Sequence, residues 1–451
     1  MPLDRKAGSG AGALRLGTGL ACLIMLTGCL EGGLSPLVAK LGFDPVTRAE
    51  GVAATGLPGN SLDPQQEVAS SLIPQLQARQ SVLTPGGNYA AVADAVIAAS
   101  SGAAAAELRL ARLQARAEST NWLPEIGPNV SLTSLSGLVA SLIIEQAILD
   151  NGRRKAERAY AAADVEVAAV GLTADINQLV YEGLSFYVEA ARARDQAAIS
   201  ERAMARLAEF DRIMGQRVAG GLSDRSEQQI VGQGAAEMRA TAAGDRQAEA
   251  TALAELAVLA GQGVTIGGLD QILRISGGTE PLSLIEARGE ARRKIAAAKV
   301  QHAGLFPGIT GSVGIDDDGI NPGIRIGTDG LFGLGTGAGL QALQATTELA
   351  DRQIAEAAQD AQRRRVALER DIASLQSRQA QGAEVLRQTT ANLDMFTEQY
   401  KVGRRTLMEL VGQFDSAARL ERDQAALQYD IALRQLELAR DAGALVDGSR
   451  M

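Results

Sequence analysis

What most constrains this chain is that its design is written twice. Leu123-Pro124 opens one strand-like region and Phe306-Pro307 opens another 183 positions later, while Gly221 with Glu227 is matched by Gly403 with Glu409 at an offset of 182. A nearly constant offset at anchors about 100 residues apart marks a duplicated unit, and its period is far too long for a solenoid. Each unit has one order: helix, strand hairpin, very long helix, break, second helix. In the first unit, Asn88 to Thr120 is Ala-, Leu- and Arg-rich, and the stretch from Gly152 to Val218 contains no proline. At 1.5 Å per residue such a helix is about 100 Å long, beyond the range of ordinary globular helices. Apolar spacing fits packing against other helices: Leu207, Phe210 and Met214 step by three and four, and Leu420, Leu427, Ile431 and Leu438 by seven, four and seven.

The strand-like regions argue against a plain coiled-coil rod. Ile309, Gly311, Val313 and Ile315 alternate with Thr310, Ser312 and Gly314; Asp316-Asp317-Asp318-Gly319 supplies turn chemistry, and Ile324 and Ile326 resume the alternation. The first unit is weaker: Val130 and Leu132 alternate with Ser131 and Thr133, turn near Ser136-Gly137, and return through Leu138 to Ile144. Both hairpins suit a membrane barrel wall, apolar outside and polar inside. Four strands cannot close a barrel, since the smallest have eight, and an open edge in lipid leaves backbone groups unpaired at several kcal/mol each. A membrane reading therefore requires several copies.

Arg5, Lys6 and Arg15 precede a short apolar stretch, Leu20 to Leu26, that reads as an export signal rather than a permanent span. It ends in Leu26-Thr27-Gly28-Cys29, which resembles the bacterial lipobox and implies acylation of Cys29; Leu30 after the cysteine implies outer-membrane sorting. With Cys22 in the signal and Cys29 acylated, no pair is left for a disulfide. The net charge is −9, and loss of residues 1–28 removes three basic and one acidic residue, so the chain is too acidic to bind nucleic acid. No stretch after residue 29 offers some 18 uninterrupted apolar residues. Residues 29–87, with Pro36, Pro45, Pro58 and Pro64, read as a lipid-anchored tether and irregular segment. Residues 88–264 form the first repeat, 265–282 a linker and 283–448 the second repeat.

Taken together, Asn88 to Gly448 resembles the TolC family of outer-membrane export channels. Tyr400-Lys401-Val402-Gly403-Arg404-Arg405-Thr406-Leu407 is similar to the family's Tyr-x-Val-Gly-x-Arg-Thr at the periplasmic tip, and Gly221-Leu222-Ser223-Asp224-Arg225-Ser226-Glu227 is its equivalent in the first unit. Ile148-Leu149-Asp150-Asn151-Gly152 resembles the family's Pro-Leu-Phe-Asp-x-Gly at the strand-to-helix junction, with Asp150 and Gly152 matching; the proline is missing and Leu149 replaces the aromatic. The resemblance implies a mainly α fold with a small β part. It also implies a homotrimer whose twelve strands form a barrel above a periplasmic helical barrel, docked to an adaptor protein and an inner-membrane pump or ABC exporter. Gly221, Ser223, Arg225, Gly403, Arg404, Arg405 and Thr406 would form the gate and docking tip, with Arg225 and Arg405 bonding carbonyls at helix ends. Trp122, Pro124, Phe306, Pro307 and Phe332 lie near the expected inner membrane boundary, but 3% aromatics leave no second girdle, so the barrel is expected to be short.

Chemistry is scarce. His302 has no second histidine or cysteine to complete a metal set and reads as a solvated helix residue. Gly333, Gly335, Gly337 and Gly339 lack the spacing and the Lys-Ser/Thr of a phosphate loop; they read as strand glycines that relieve crowding where the barrel meets the helices. The acids are spread along helices among arginines, as exposed faces require. No catalytic constellation and no cofactor is expected, and the reading is a passive outer-membrane conduit. Its rival is a periplasmic coiled-coil lipoprotein without a pore. Replacing Cys29 with serine is expected to abolish labelling by radioactive palmitate while the chain still folds; undiminished labelling would disprove the acylation site.

Overall fold

A computed structural model describes residues 72–134, 137–261, 263–275, 279–316, 319–328 and 336–450. The export signal, Cys29, the tether up to residue 71, the hairpin tips Ser136 and Asp317-Asp318, and Phe332, Gly333 and Gly335 lie outside the described residues. In chain order the elements are α1 (Leu72–Gln77), α2 (Asn88–Ala99), α3 (Ala103–Ser119), β1 (Glu125–Ser134), β2 (Gly137–Leu149), α4 (Arg153–Ala219), α5 (Arg225–Ala260), α6 (Leu282–Ala303), β3 (Gly308–Asp316), β4 (Gly319–Gly327), α7 (Thr336–Lys401) and α8 (Leu407–Asp441). A short 3-10 turn, Gly448–Arg450, follows.

Both long helices exist: α4 has 67 residues and α7 has 66, about 100 Å each at the ordinary rise. Two expectations need correction. The first helical stretch is not continuous, because Gly102, with φ of 66°, bends α2 against α3 by 61°. Gly337 and Gly339 are not strand glycines: β4 stops at Gly327 and both residues lie in the first turn of α7. No single described helix is long and apolar enough to cross a membrane.

The four strands form one antiparallel sheet in the order β1-β2-β3-β4, so the hairpin of one repeat is zipped to the hairpin of the other through β2 and β3. Below the sheet the helices lie side by side. Near the strands the order is α3-α4-α6-α7, and at the far end it is α5-α4-α8-α7. α4 is therefore interior and buries 24 of its residues. α7 is a border helix, and Ala350, Ala361 and Leu368 are its buried residues among those described.

Three apolar clusters are stacked along α4. Nearest the strands, Val170 and Leu172 pack with Leu72, Leu76, Leu282 and Ile285; midway, Val180, Leu184 and Tyr187 pack with Tyr89, Val96, Leu256 and Leu436; farthest away, Leu207, Phe210 and Met214 pack with Val231, Leu407 and Leu410. The predicted 3-4 stripe Leu207, Phe210, Met214 is thus core.

At mid-length the segment before α2, the linker and the segment after α8 are clasped together. Val82 donates its N–H to Ala444 O (2.8 Å) and accepts from Leu273 N–H (2.9 Å), while Gly448 N–H bonds Arg79 O (2.9 Å). The buried Arg79 guanidinium bonds the carbonyls of Ala442 and Glu280, and the buried Asn177 side chain accepts from Leu445 N–H (2.9 Å). The linker is tied in as well: Asp270 accepts from Tyr89 N–H (2.7 Å) and from the Asn88 side chain (3.1 Å), capping α2 from a distant part of the chain. A Cβ on Gly448 would overlap the carbonyls of Leu76 and Gln77. Gly448→Ala should open this clasp and lower stability by about 1–3 kcal/mol, read as a shift of the urea unfolding midpoint; an unchanged midpoint would show that the clasp contributes nothing.

Candidate membrane sheet and helix-tip turns

The sheet register sorts side chains by chemistry. Residues paired across an antiparallel ladder share a face, and alternate residues change face. Pro128, Leu142, Ile315 and Ile320 form one cross-sheet row, and Ile126, Ile144, Val313 and Pro322 form the next. Gln146, Gly311 and Ile324, then Leu149, Ile309 and Ile326, continue the same face. The opposite face carries Glu125, Glu145, Ser312 and Gly323; Gly127, Ile143, Gly314 and Asn321; and Ala147, Thr310 and Arg325. Arg325 and Glu145 form an ion pair there at 3.9 Å. Ile320, Ile324 and Ile326 are 68%, 74% and 70% exposed. A sheet face of bare isoleucines is a surface built for an apolar surrounding.

The handover from β2 to α4 is a compact cap. Asp150 accepts from Gly152 N–H (3.0 Å) and Arg154 N–H (2.9 Å), satisfying helix-start donors. Asn151 and Gly152 both have positive φ, 53° and 82°, which glycine and asparagine tolerate best. Asn151 also donates to Pro307 O (2.9 Å), tying this junction to the start of β3. Arg154 reaches the carbonyl of Asn121 and the carboxylate of Glu125 (3.2 Å), and Arg158 bonds the Asn121 side chain (2.8 Å). Asp150 and Gly152 are therefore junction residues by geometry. Asn121 and Arg154, which no motif signalled, brace the junction from the other side.

Around this level Trp122, Leu123, Pro124, Phe306 and Pro307 are exposed. Trp122 O accepts from the Gln146 side chain (2.9 Å). His302 is half-buried, its ring tilted against Phe306 at 5.1 Å, and among the described residues no group of three His, Cys, Asp or Glu side chains is placed to hold a metal.

The two helix-tip turns share one geometry. Leu222 N–H bonds Arg217 O (2.8 Å) and Gly221 N–H bonds Val218 O (3.1 Å); Arg404 N–H bonds Gln399 O (2.8 Å) and Gly403 N–H bonds Tyr400 O (3.0 Å). Gly221 and Gly403 have φ of 71° and 70°, the left-handed residue that such a helix stop requires. The next helix then starts on a cap at the same offset: Asp224 accepts from Glu227 N–H (2.9 Å), and Thr406 accepts from Glu409 N–H (3.2 Å) while Glu409 bonds back to Thr406 N–H (2.8 Å). The helices below both turns meet in one core, where Phe210 and Phe414 pack edge to face at 5.7 Å. Both turns therefore lie at the same end of the molecule.

One expected role is corrected. The helix-end carbonyls are taken by backbone N–H groups, so Arg405 does not bond them; it lies over the Phe396 ring (4.6 Å) and bonds Gln399 (3.0 Å) and Glu409 (2.8 Å). Arg225 and Arg404 are exposed, as are Leu222 and Val402, while Ser223 is half-buried. Backbone and side-chain donors hold the carboxyls of Glu409 and Asp224 below their usual range. A carboxylate with a lowered folded pKa stabilises above its unfolded pKa and stops doing so as pH falls through the depressed value. The protection factors of the Glu227 and Thr406 amides, whose N–H groups those carboxylates accept, should therefore hold at neutral and mildly acidic pH and fall below the ordinary carboxylate range. Thr406→Ala should cost about 1 kcal/mol of local stability and bring fast exchange at Glu409 to neutral pH; slow exchange in that variant would refute the cap.

Neither a protein-family model nor a curated protein matches the chain in sequence. Solved structures do match. The outer membrane protein VceC of Vibrio cholerae aligns with a TM-score of 0.67 at 19% identity, covering 79% of this chain and 96% of that one. The Campylobacter jejuni CmeC outer membrane channel gives 0.68 at 11%, covering 83% and 92%. The open state of the Neisseria gonorrhoeae MtrE outer membrane channel gives 0.63 at 17%, covering 85% and 95%. Nearly the whole length of each channel is thus reproduced, sheet and long helices together, and this chain has the fold of the TolC-like outer-membrane channels.

Proposed function

We propose that this protein is the outer-membrane exit duct of a tripartite efflux or type I secretion system, a passive conduit working as a homotrimer. The observation that carries the reading is the relation between the two repeats. Within one chain, β2 pairs β3 and α4 packs on α6 and α8. The same elements one repeat later, β4 and α7, border the molecule, as do β1, α3 and α5 on the other side. Repeating the internal seam between chains joins β4 to β1 and α7 to α3 and α5 of the next copy. Residues on α7 fit this: exposed Val385 corresponds to buried Ala203 on α4, and exposed Met395 to Ile213, which packs on the tip-end core. Three copies give twelve strands, enough for a membrane barrel where four are too few.

In the assembled duct the isoleucine face meets lipid and the face with Glu125, Glu145 and Arg325 meets water. Trp122, Pro124, Phe306 and Pro307 sit at the inner boundary of the membrane, as suits aromatic and proline residues where strands begin. An acyl chain on Cys29 adds a second hold on the outer membrane. The turns at Gly221 and Gly403, with Ser223, Arg225, Arg404, Arg405 and Thr406, form the periplasmic tip that meets the adaptor and gates the duct, the pump lying beyond. Exposed Leu222, Val402, Arg225 and Arg404 offer apolar and cationic contact there. Particle images of the detergent-extracted protein should show three-fold rods, and planar bilayers should record discrete conductance steps. Folded monomers, or oligomers that pass no current, would overturn the reading.

A further inference from the structure

The four strands contain two prolines, and both lie on the open edges. Pro128 is in β1 and Pro322 in β4, while β2 and β3, which pair on both sides, have none. Proline has no N–H to give a ladder, so in a sheet its nitrogen belongs on the unpaired side. The ladder fixes that direction. Bonded and non-bonded pairs alternate along an antiparallel ladder, and Pro322, opposite Val313, has no proton with which to complete a bonded pair. Val313 and Pro322 therefore form a non-bonded pair, and the proline nitrogen faces outward. Pro128, opposite Leu142, meets the same requirement on the other edge. Both rings lie on the apolar face, in adjacent rows.

An alternating apolar edge strand is a template for unwanted pairing, and proteins usually blunt such edges with charges, bulges or proline. A lysine on the face meant for lipid would destabilise the barrel once it is inserted. Proline removes a donor while keeping the surface apolar. We propose that Pro128 and Pro322 guard the two free edges of the unassembled subunit, so that β1 and β4 accept only the matching edge of a second copy of this chain, and that the seam between copies is consequently the weakest ladder of the barrel. The second copy is the favoured occupant because β1 and β4 run antiparallel and present their apolar residues to the same face. The inference rests on the duct reading above.

The test is the full-length double variant Pro128→Val/Pro322→Val, made in bacteria and followed into the outer membrane, with Asn129→Val as the control. Asn129 lies on β1 beside Pro128 with the opposite backbone direction, so this control raises strand preference without adding an outward donor. The double variant should yield oligomers that dissociate in hot SDS on the order of tenfold more slowly, the effect of two restored donors in each seam, one from β4 and one from β1 of the next copy. A smaller share of the chain should reach that oligomer, the rest accumulating as insoluble aggregate, and the control should change neither quantity. An unchanged aggregate fraction would remove the guarding role. A less stable oligomer would show that the prolines merely shape their strands. If the wild-type protein itself is a folded monomer, the duct reading fails first, a result visible without either variant.

Discussion

The backbone groups left open along β1 and β4 set the terms for everything else in this molecule. A sheet needs partners on both sides or water on its edge, and in lipid water is not there. Four strands with an exposed isoleucine face are therefore an incomplete object wherever that face is used. The same incompleteness continues down the helices, where α7 borders the layer and stays exposed along most of its length. In the proposed duct both deficits are met by one operation, the addition of the next copy.

Duplication explains why one chain can carry so much of the proposed wall. α4 and α7 are near copies in length and in their final turns, yet α4 is core and α7 is rim. The difference is position, because α4 has the second repeat beside it and, among the described residues, no element packs on the outer side of α7. The tips show the converse. There the same backbone turn is kept by different side chains, Asp224 in one repeat and the Thr406–Glu409 pair in the other, since a glycine at positive φ and any short acceptor at the cap suffice. Arg405 adds a clamp on Phe396, Gln399 and Glu409, and Arg225, its relative, remains exposed.

Much of this was legible from local chemistry. The absence of proline from Gly152 to Val218 announced a helix whose bounds agree to within a residue, and the alternation from Ile309 to Ile326 announced β3 and β4. The tip glycines announced themselves by sequence spacing alone. Less legible were features held by distant partners. The break at Gly102 looked like more helix, because a glycine in an alanine-rich run gives no sign of which way the chain will turn. Gly337 and Gly339 suggested strand, yet they begin α7. Arg405 was expected at helix-end carbonyls that its own backbone turn had already satisfied.

The order of residues alone determined the repeat, the two hairpins, the two long helices and the glycine turns, because periodicity, proline placement and positive-φ preference act within a few residues of one another. The tertiary structure alone decided that β2 and β3 join the hairpins, that the apolar rows of four strands fall on one face, and that Arg79, Asn177 and Asp270 clasp the chain at mid-length. Those are contacts between segments separated by up to some 360 residues. Register and burial at such range depend on which surfaces the folded helices leave available, and no local pattern encodes that.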